Sequence, residues 1–192
     1  MNRRYFLMGS AAAAGAARAG APASANDTIR LACVGLKGRG RDHIMAFGKM
    51  PNVQIAALCD VDDSVTAERL KDVEKLNGSR PAAFRDIRRL LDDKSIDAVS
   101  IASPNHWHAL MSIWAMQAGK DVFCEKPCSH NIFESRQIVA AAKRYNRIVQ
   151  HGSQTRSSPS IQEAFRQMRE GLLGEVYMSR GLCYKPRNTI GK

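Results

Sequence analysis

A glycine-rich run, Gly35-Leu36-Lys37-Gly38-Arg39-Gly40, follows one apolar stretch (29–34) and precedes another in which Ile44 and Phe47 are at helical spacing. Glycines between a strand and a helix let the backbone approach a phosphate closely. The unpaired N–H groups and the positive end of the helix dipole then attract that anion. Gly35 is expected to make the tight turn and Gly40 to let helix and strand pack closely. Lys37 and Arg39 add charge at the same place. A second apolar stretch, 53–58, ends in Cys59-Asp60, and Asp60 lies twenty residues past Gly40. A carboxylate at that offset accepts hydrogen bonds from ribose hydroxyls. Turn, helix start and acid together predict a dinucleotide site. The pattern departs from G-x-G-x-x-G at its third position, where Lys37 stands and glycine comes one place later. Asp60 would repel a 2′-phosphate, and no arginine follows within Val61-Asp62-Asp63, which favours NAD over NADP.

These residues need a frame. Residues 98–102 and 121–124 read as buried strands, stopping at Ser103-Pro104-Asn105-His106 and at Glu125-Lys126-Pro127. Residues 148–150 read as another strand. Helical stripes fall at Leu70, Val73 and Leu76, closed by Asn77-Gly78. Others fall at Phe84, Ile87 and Leu91, at Trp107, Leu110, Met111 and Trp114, and at Ile138, Val139 and Ala142, with Asn131 and Glu134 as a capping pair. Alternation of strand and helix predicts an α/β fold with a doubly wound parallel sheet, Rossmann-like. Ligands of such sheets bind beyond the carboxyl ends of the strands. The turn 35–40, Asp60, the run 103–108 and the run 125–127 all fall there. Past Gly152 the pattern changes. Pro159 opens a helix with Ile161, Phe165, Met168 and Leu172 on one face, and residues 175–184 read as a strand without a partner. The expected domains are therefore 26–152, dinucleotide-binding, and 153–192, the start of an α+β substrate domain.

Composition narrows the classes. The chain has 192 residues, 44% of them hydrophobic and 24% charged, which excludes a disordered or polytopic membrane chain. Its net charge is +11, of which Arg3, Arg4 and Arg18 in the first 25 residues supply three. Residues 143–192 hold ten bases and three acids. The excess is scattered, with no zinc spacing and no basic stripe interleaved with aromatics, so no nucleic-acid partner is expected. Five cysteines, Cys33, Cys59, Cys124, Cys128 and Cys183, match no metal pattern, and no metal is expected. Residues 1–25 read as a signal peptide: basic start, short apolar core, and Ala23-Ser24-Ala25 before a polar stretch. Thirteen residues from Tyr5 to Ala17 fall short of the ~20 a membrane span needs, so no stable membrane anchor is expected. Arg3-Arg4-x-Phe6-Leu7 resembles a twin-arginine signal. That signal predicts export by the Tat machinery in a folded state, cofactor included, to the periplasm or outside.

With Cys59-Asp60-Val61-Asp62, Ser103-Pro104-Asn105-His106-Trp107-His108, Glu125-Lys126-Pro127 and Gly152-Ser153-Gln154, the sequence resembles the Gfo/Idh/MocA oxidoreductases, named for glucose–fructose oxidoreductase and inositol dehydrogenase. The resemblance covers residues 28–192. It implies that Gly35, Gly38 and Gly40 hold the pyrophosphate and Asp60 the ribose. It implies that Ser103, Pro104, Asn105 and His106 line the nicotinamide side. Glu125 would touch the cofactor or order its loop, and Lys126 would be catalytic, contacting the substrate hydroxyl and assisting its proton. Gln154 and Arg156 would border a sugar or polyol substrate. The Lys126–Pro127 bond is often cis in the family. A downstream histidine, the usual partner of the lysine, is not in this sequence. His43, His130 and His151 read as packing or surface residues instead. The implied function is the N-terminal part of an NAD(P)-dependent sugar or polyol oxidoreductase, homo-oligomeric as a whole protein, with this stretch inactive alone. Two alternatives stand beside it: a redox-neutral, NAD-dependent glycosidase and a dinucleotide-binding regulator without turnover.

Overall fold

The computed structural model describes residues 28–182 and 184; the signal-like residues 1–25 and Cys183 lie outside them. The chain divides into two compact units, Met1–Gly152 and Ser153–Lys192.

In the first unit six strands form one sheet: β1 (Ile29–Val34), β2 (Val53–Cys59), β3 (Ala82–Phe84), β4 (Ala98–Ile101), β5 (Asp121–Cys124) and β6 (Val149–His151). Every pairing is parallel and the order is β3-β2-β1-β4-β5-β6. The strands alternate with α1 (Arg39–Phe47), α2 (Asp63–Asn77), α3 (Ile87–Leu91), α4 (Asn105–Gln117) and α5 (Ile132–Tyr145). Parallel strands need such crossovers, and each crossover covers a face of the sheet. The order reverses between β1 and β4, which opens a crevice at their carboxyl ends.

Period-two strands sort the core into two layers. Leu31 and Cys33 of β1 join Ile55, Leu58, Ile44, Leu70 and Val73 on one side. Ala32 and Val34 join Val99, Ile101, Leu90, Met116 and Ile138 on the other. A bulge opposite Leu31 and Ala32 lets Ile55 and Leu58, three residues apart, share a side. Asp62, Asp86 and Asn131 cap α2, α3 and α5 through their side chains. The Asn131–Glu134 pair is reciprocal: Asn131 Oδ1 accepts the Glu134 N–H and Asn131 Nδ2 donates to Glu134 Oε1, while Glu134 Oε2 accepts the His130 N–H.

The stripe Phe84-Ile87-Leu91 is not one helix. Phe84 ends β3, and only Ile87–Leu91 is helical, because Asp86 caps the helix and β2 offers a free edge for 82–84 to pair with.

The second unit holds a 3-10 turn (Gln154–Ser157) and α6 (Pro159–Arg169). The helix stops before Leu172, and Gly171 takes a left-handed conformation, φ +92°. Residues 175–182 and 184 form no strand; Tyr177 is 92% exposed. A strand is held by a ladder, and alternation without a pairing edge does not make one. Among the described residues no helix is long and apolar enough to cross a membrane.

Candidate dinucleotide and substrate site

The strand ends are fixed before any side chain acts. One residue beyond five of the six strands, the ladder continues: Asp60 N donates to Phe84 O, Gly35 N to Cys59 O, Ala102 N to Val34 O, Glu125 N to Ile101 O and Gly152 N to Cys124 O, at 2.8–3.1 Å. Asp60, Gly35 and Glu125 therefore leave the sheet from tethered backbone. They follow β1, β2 and β5 within the run of four neighbours β2-β1-β4-β5, and three strand spacings separate the outer two, roughly 14 Å.

At the centre, Gly35 turns with φ +76°, and a Cβ there would lie 2.6 Å from the Ser103 nitrogen. The chain then rises into α1. Its N-cap is Gly38, φ 53° and ψ −111°, with no side-chain cap. Helix α4, on the other side of the crevice, also starts without one, at Pro104. No Asp or Asn covers the start of α1, where Gly40 N donates to Lys37 O and Arg41 N to Gly38 O at 3.1 Å, and the positive end of the helix faces the turn. Lys37, Gly38 and Arg39 are exposed around this start, and Gly40 is buried.

Asp60 is half-buried and held at both oxygens. Leu36 N donates to Oδ2 at 2.7 Å and Asp62 N to Oδ1 at 3.0 Å. The carboxylate ties the glycine turn to β2, and its remaining lone pairs are available to hydroxyl donors. Beside it lies a pocket of about 460 Å³, lined by Gly35, Asp60, Val61, Ser103 and Pro104, with Trp107, Met111 and Trp114 as an apolar wall. Ser103 Oγ is buried there without a hydrogen-bond partner. An orphaned hydroxyl, an uncapped helix and an apolar wall beside a held carboxylate fit an adenosine diphosphate. Three residues of the helical stripe on α4, Trp107, Met111 and Trp114, thus form the wall of this site.

Two further wall residues escaped the sequence: Arg85 and Arg88, beyond β3. Arg85 bonds Asp63 Oδ2 at 3.0 Å and the Val61 carbonyl at 3.3 Å; Arg88 pairs with Asp86. No arginine directly follows Asp60 in the chain, yet the sheet order brings two to its pocket, each with an aspartate partner. They lie more than twenty residues past Asp60 and come beside it through the pairing of β3 with β2.

The other half of the edge is built on Glu125, whose residue is 3% exposed. Its Oε1 accepts Arg39 Nε at 2.9 Å and faces His43 Nε2 at 3.0 Å; Oε2 accepts the Lys126 peptide N–H at 2.9 Å. Burial pushes this carboxyl up, but the hydrogen bonds from Arg39, His43 and Lys126 outweigh it and bring it down to about 2. Lys126 is exposed, and the Lys126–Pro127 bond is cis. Asn105 and His106 are exposed at the start of α4. His108 is buried and reaches two carbonyls, Ser103 O at 2.7 Å and Pro127 O at 2.6 Å, bridging the loops after β4 and β5. His43 is buried with both ring nitrogens in hydrogen bonds, to Ser100 and Glu125, and His130 and His151 are exposed. Gln154 and Arg156 fall in the second unit, on its 3-10 turn.

A parallel sheet in this order, with a glycine turn at its switch point and an acid ending β2, defines a nucleotide-binding Rossmann domain. Residues 29–153 match the oxidoreductase family with an NAD-binding Rossmann fold, and the chain belongs to that family. A glycosyl hydrolase family 109 protein from Shewanella pealeana is 31% identical over 154 residues, which are 78% of this chain and 34% of that protein. Among solved structures, myo-inositol 2-dehydrogenase from Lactobacillus plantarum is 27% identical with a TM-score of 0.70, over 78% of this chain and 43% of that one. The scyllo-inositol dehydrogenase from Lactobacillus casei, solved with bound NAD(H) and scyllo-inositol, is 26% identical with a TM-score of 0.68, over 77% and 43%. The chain thus spans about a third of the curated relative and less than half of the solved ones.

Proposed function

We propose that this chain is the cofactor-binding part of an exported oxidoreductase that moves a hydride between NAD and a sugar or polyol hydroxyl. The supporting observation is the shared sheet edge: the uncapped start of α1, the held Asp60 and the Glu125–Lys126 run all stand at the carboxyl ends of adjacent strands. Bound nicotinamide supplies the hydride acceptor. The chain's own residues do the rest. Gly35, Gly38 and Gly40, with Lys37 and Arg39, cradle the diphosphate, and Asp60 takes the ribose hydroxyls. Ser103, Pro104, Asn105 and His106 line the nicotinamide side. Lys126 contacts the substrate hydroxyl and takes its proton, and Gln154 and Arg156 border the substrate. NAD is preferred over NADP because the Asp60 charge opposes a 2′-phosphate, while Arg85 and Arg88 already have aspartate partners.

Calorimetric titration with NAD and NADP, and polyol turnover by the whole protein, test this. NAD is expected to bind at least tenfold more tightly than NADP. Lys126→Met is expected to lower turnover by roughly 10²–10⁴, the usual worth of a positioned acid–base group. Tighter NADP binding, or full activity without the lysine, overturns the reading.

The glycosyl hydrolase relative supports a second reading, glycosidic cleavage with NAD used transiently. Release of an aryl alcohol from an aryl glycoside, with no electron acceptor added, would select it. Export is part of the proposal and rests on Arg3-Arg4-x-Phe6-Leu7. Changing both arginines to lysine is expected to leave the protein in the cytosolic fraction, and unchanged export overturns the Tat assignment.

A further inference from the structure

Helix α1 does more than open at a phosphate site, because one of its buried residues reaches across the sheet. Arg39 and His43 are four apart and share a face of α1, so both meet Glu125, 86 and 82 residues away. His43 is 4% exposed, with its ring edge-on to Phe47 and Phe123. Its Nδ1 lies 2.8 Å from Ser100 Oγ in the middle of β4. Burial lowers the His43 pKa, against the pull of Glu125, so the ring is neutral near pH 7. The ionised carboxylate accepts only, which places the single ring proton on Nε2. Nδ1 is then bare and accepts the Ser100 hydroxyl. The bonds run in one direction: Ser100 to His43, His43 to Glu125, with the Lys126 N–H closing on the second carboxylate oxygen.

We propose that His43 is a positioning residue: its Nε2–H holds the Glu125 carboxylate where Oε2 receives the Lys126 peptide N–H, so the helix that receives the cofactor also sets the backbone of the lysine that acts on substrate. The inference rests on the proposed role of Lys126. Arg39 shares the same oxygen, but its side chain is 46% exposed and stands at the diphosphate end of α1, where a bound anion competes for it. His43 is inside the fold, out of reach of that competition.

The test compares variants by what they keep. Glutamine can present an amide N–H near the Nε2 position; leucine presents none; asparagine reaches toward Ser100 but not Glu125. In nitrogen-15 labelled protein, His43→Leu is expected to lower hydrogen-exchange protection of the Lys126 amide roughly tenfold, the scale of one lost hydrogen bond. His43→Gln is expected to stay within about threefold of wild type. In the whole protein, kcat is expected to follow the same order, with NAD affinity and KM within about twofold, since Asp60 and the pocket are untouched. If His43→Leu does not fold, Asn against Gln carries the same comparison. A Lys126 amide that does not move in Leu or Asn, or that moves equally in Gln, overturns the inference and leaves the proposed function standing. Full turnover in Lys126→Met overturns the proposed function, while the amide measurement still reports on His43.

Discussion

Alanine at position 40 is expected to abolish NAD binding and to lower Tm by roughly 10 °C or more, on the scale of 2–4 °C per kcal/mol for a chain this long. The reason is steric and admits little relief. A Cβ on residue 40 would lie 1.7 Å from the Gly35 carbonyl oxygen and 2.7 Å from its carbon. Both are backbone atoms, and Gly35 is itself pinned: its N–H donates to Cys59 O, and Ser103 N stands 2.6 Å from where its own Cβ would be. To restore ordinary contact α1 must withdraw from the turn by more than an ångström. Withdrawal pulls Ile44 out of one core layer and His43 away from Ser100 and Glu125. Overpacking that a side chain can absorb costs about 1–3 kcal/mol; here backbone must give, and about 4 kcal/mol or more is expected. Gly38→Ala is the control. Its Cβ would meet nothing within 4 Å, and only its backbone conformation opposes a side chain. That variant is expected to fold, with weakened cofactor binding. Thermal unfolding and calorimetry of the two variants distinguish the cases, and a Gly40→Ala protein that melts and binds like wild type would refute this packing.

Gly40 also shows how much of the fold could be read from residue order. Its place between an apolar strand and an amphipathic stretch marks close helix–strand packing without coordinates. Strand–helix alternation gave the sheet for the same reason: parallel strands are buried on both faces and read as apolar runs, as 98–101 does. What residue order hid depends on neighbours in space. Residues 82–84 are too short and too exposed to read as a strand, so Phe84 fell into a helical stripe. They pair only because β2 presents an edge, and with them Arg85 and Arg88 arrive beside Asp60. Trp107, Met111 and Trp114 have the spacing of a packing face, and the same spacing serves a pocket wall. The i, i+4 relation of Arg39 and His43 was visible; their partner Glu125, across the sheet, was not. For residues 175–184, pattern alone promised a strand, and the ladder that would make one is not there among the described residues.

Glu125 yields the prediction with the largest dependence on pH. Its carboxyl is held down to about 2 in the fold, against 4.5 for the ordinary group. A depressed carboxylate pKa stabilises the fold above the unfolded value and stops doing so as pH falls through the folded one. Between pH 4.5 and about 2 the unfolded chain binds the proton that the folded one refuses, so stability drops as the solution is acidified. At 1.36 kcal/mol per unit, the full contribution near neutrality is about 3 kcal/mol. His43 acts in the same direction at higher pH. Its pKa is lowered from 6.5 by burial, so acidification below that value also favours the unfolded chain. Glu125→Gln removes the lower of the two steps. It also puts an amide NH2 against a donor, because Arg39, His43 and the Lys126 N–H all point at this group and only one amide oxygen remains to accept. The variant is therefore expected to be about 3 kcal/mol less stable at pH 7 by urea titration, and the gap to wild type should shrink as pH is lowered from 4.5 toward 2. A gap that keeps its size over that range would mean that the Glu125 charge is not what holds the Lys126 loop, and that shape alone positions it.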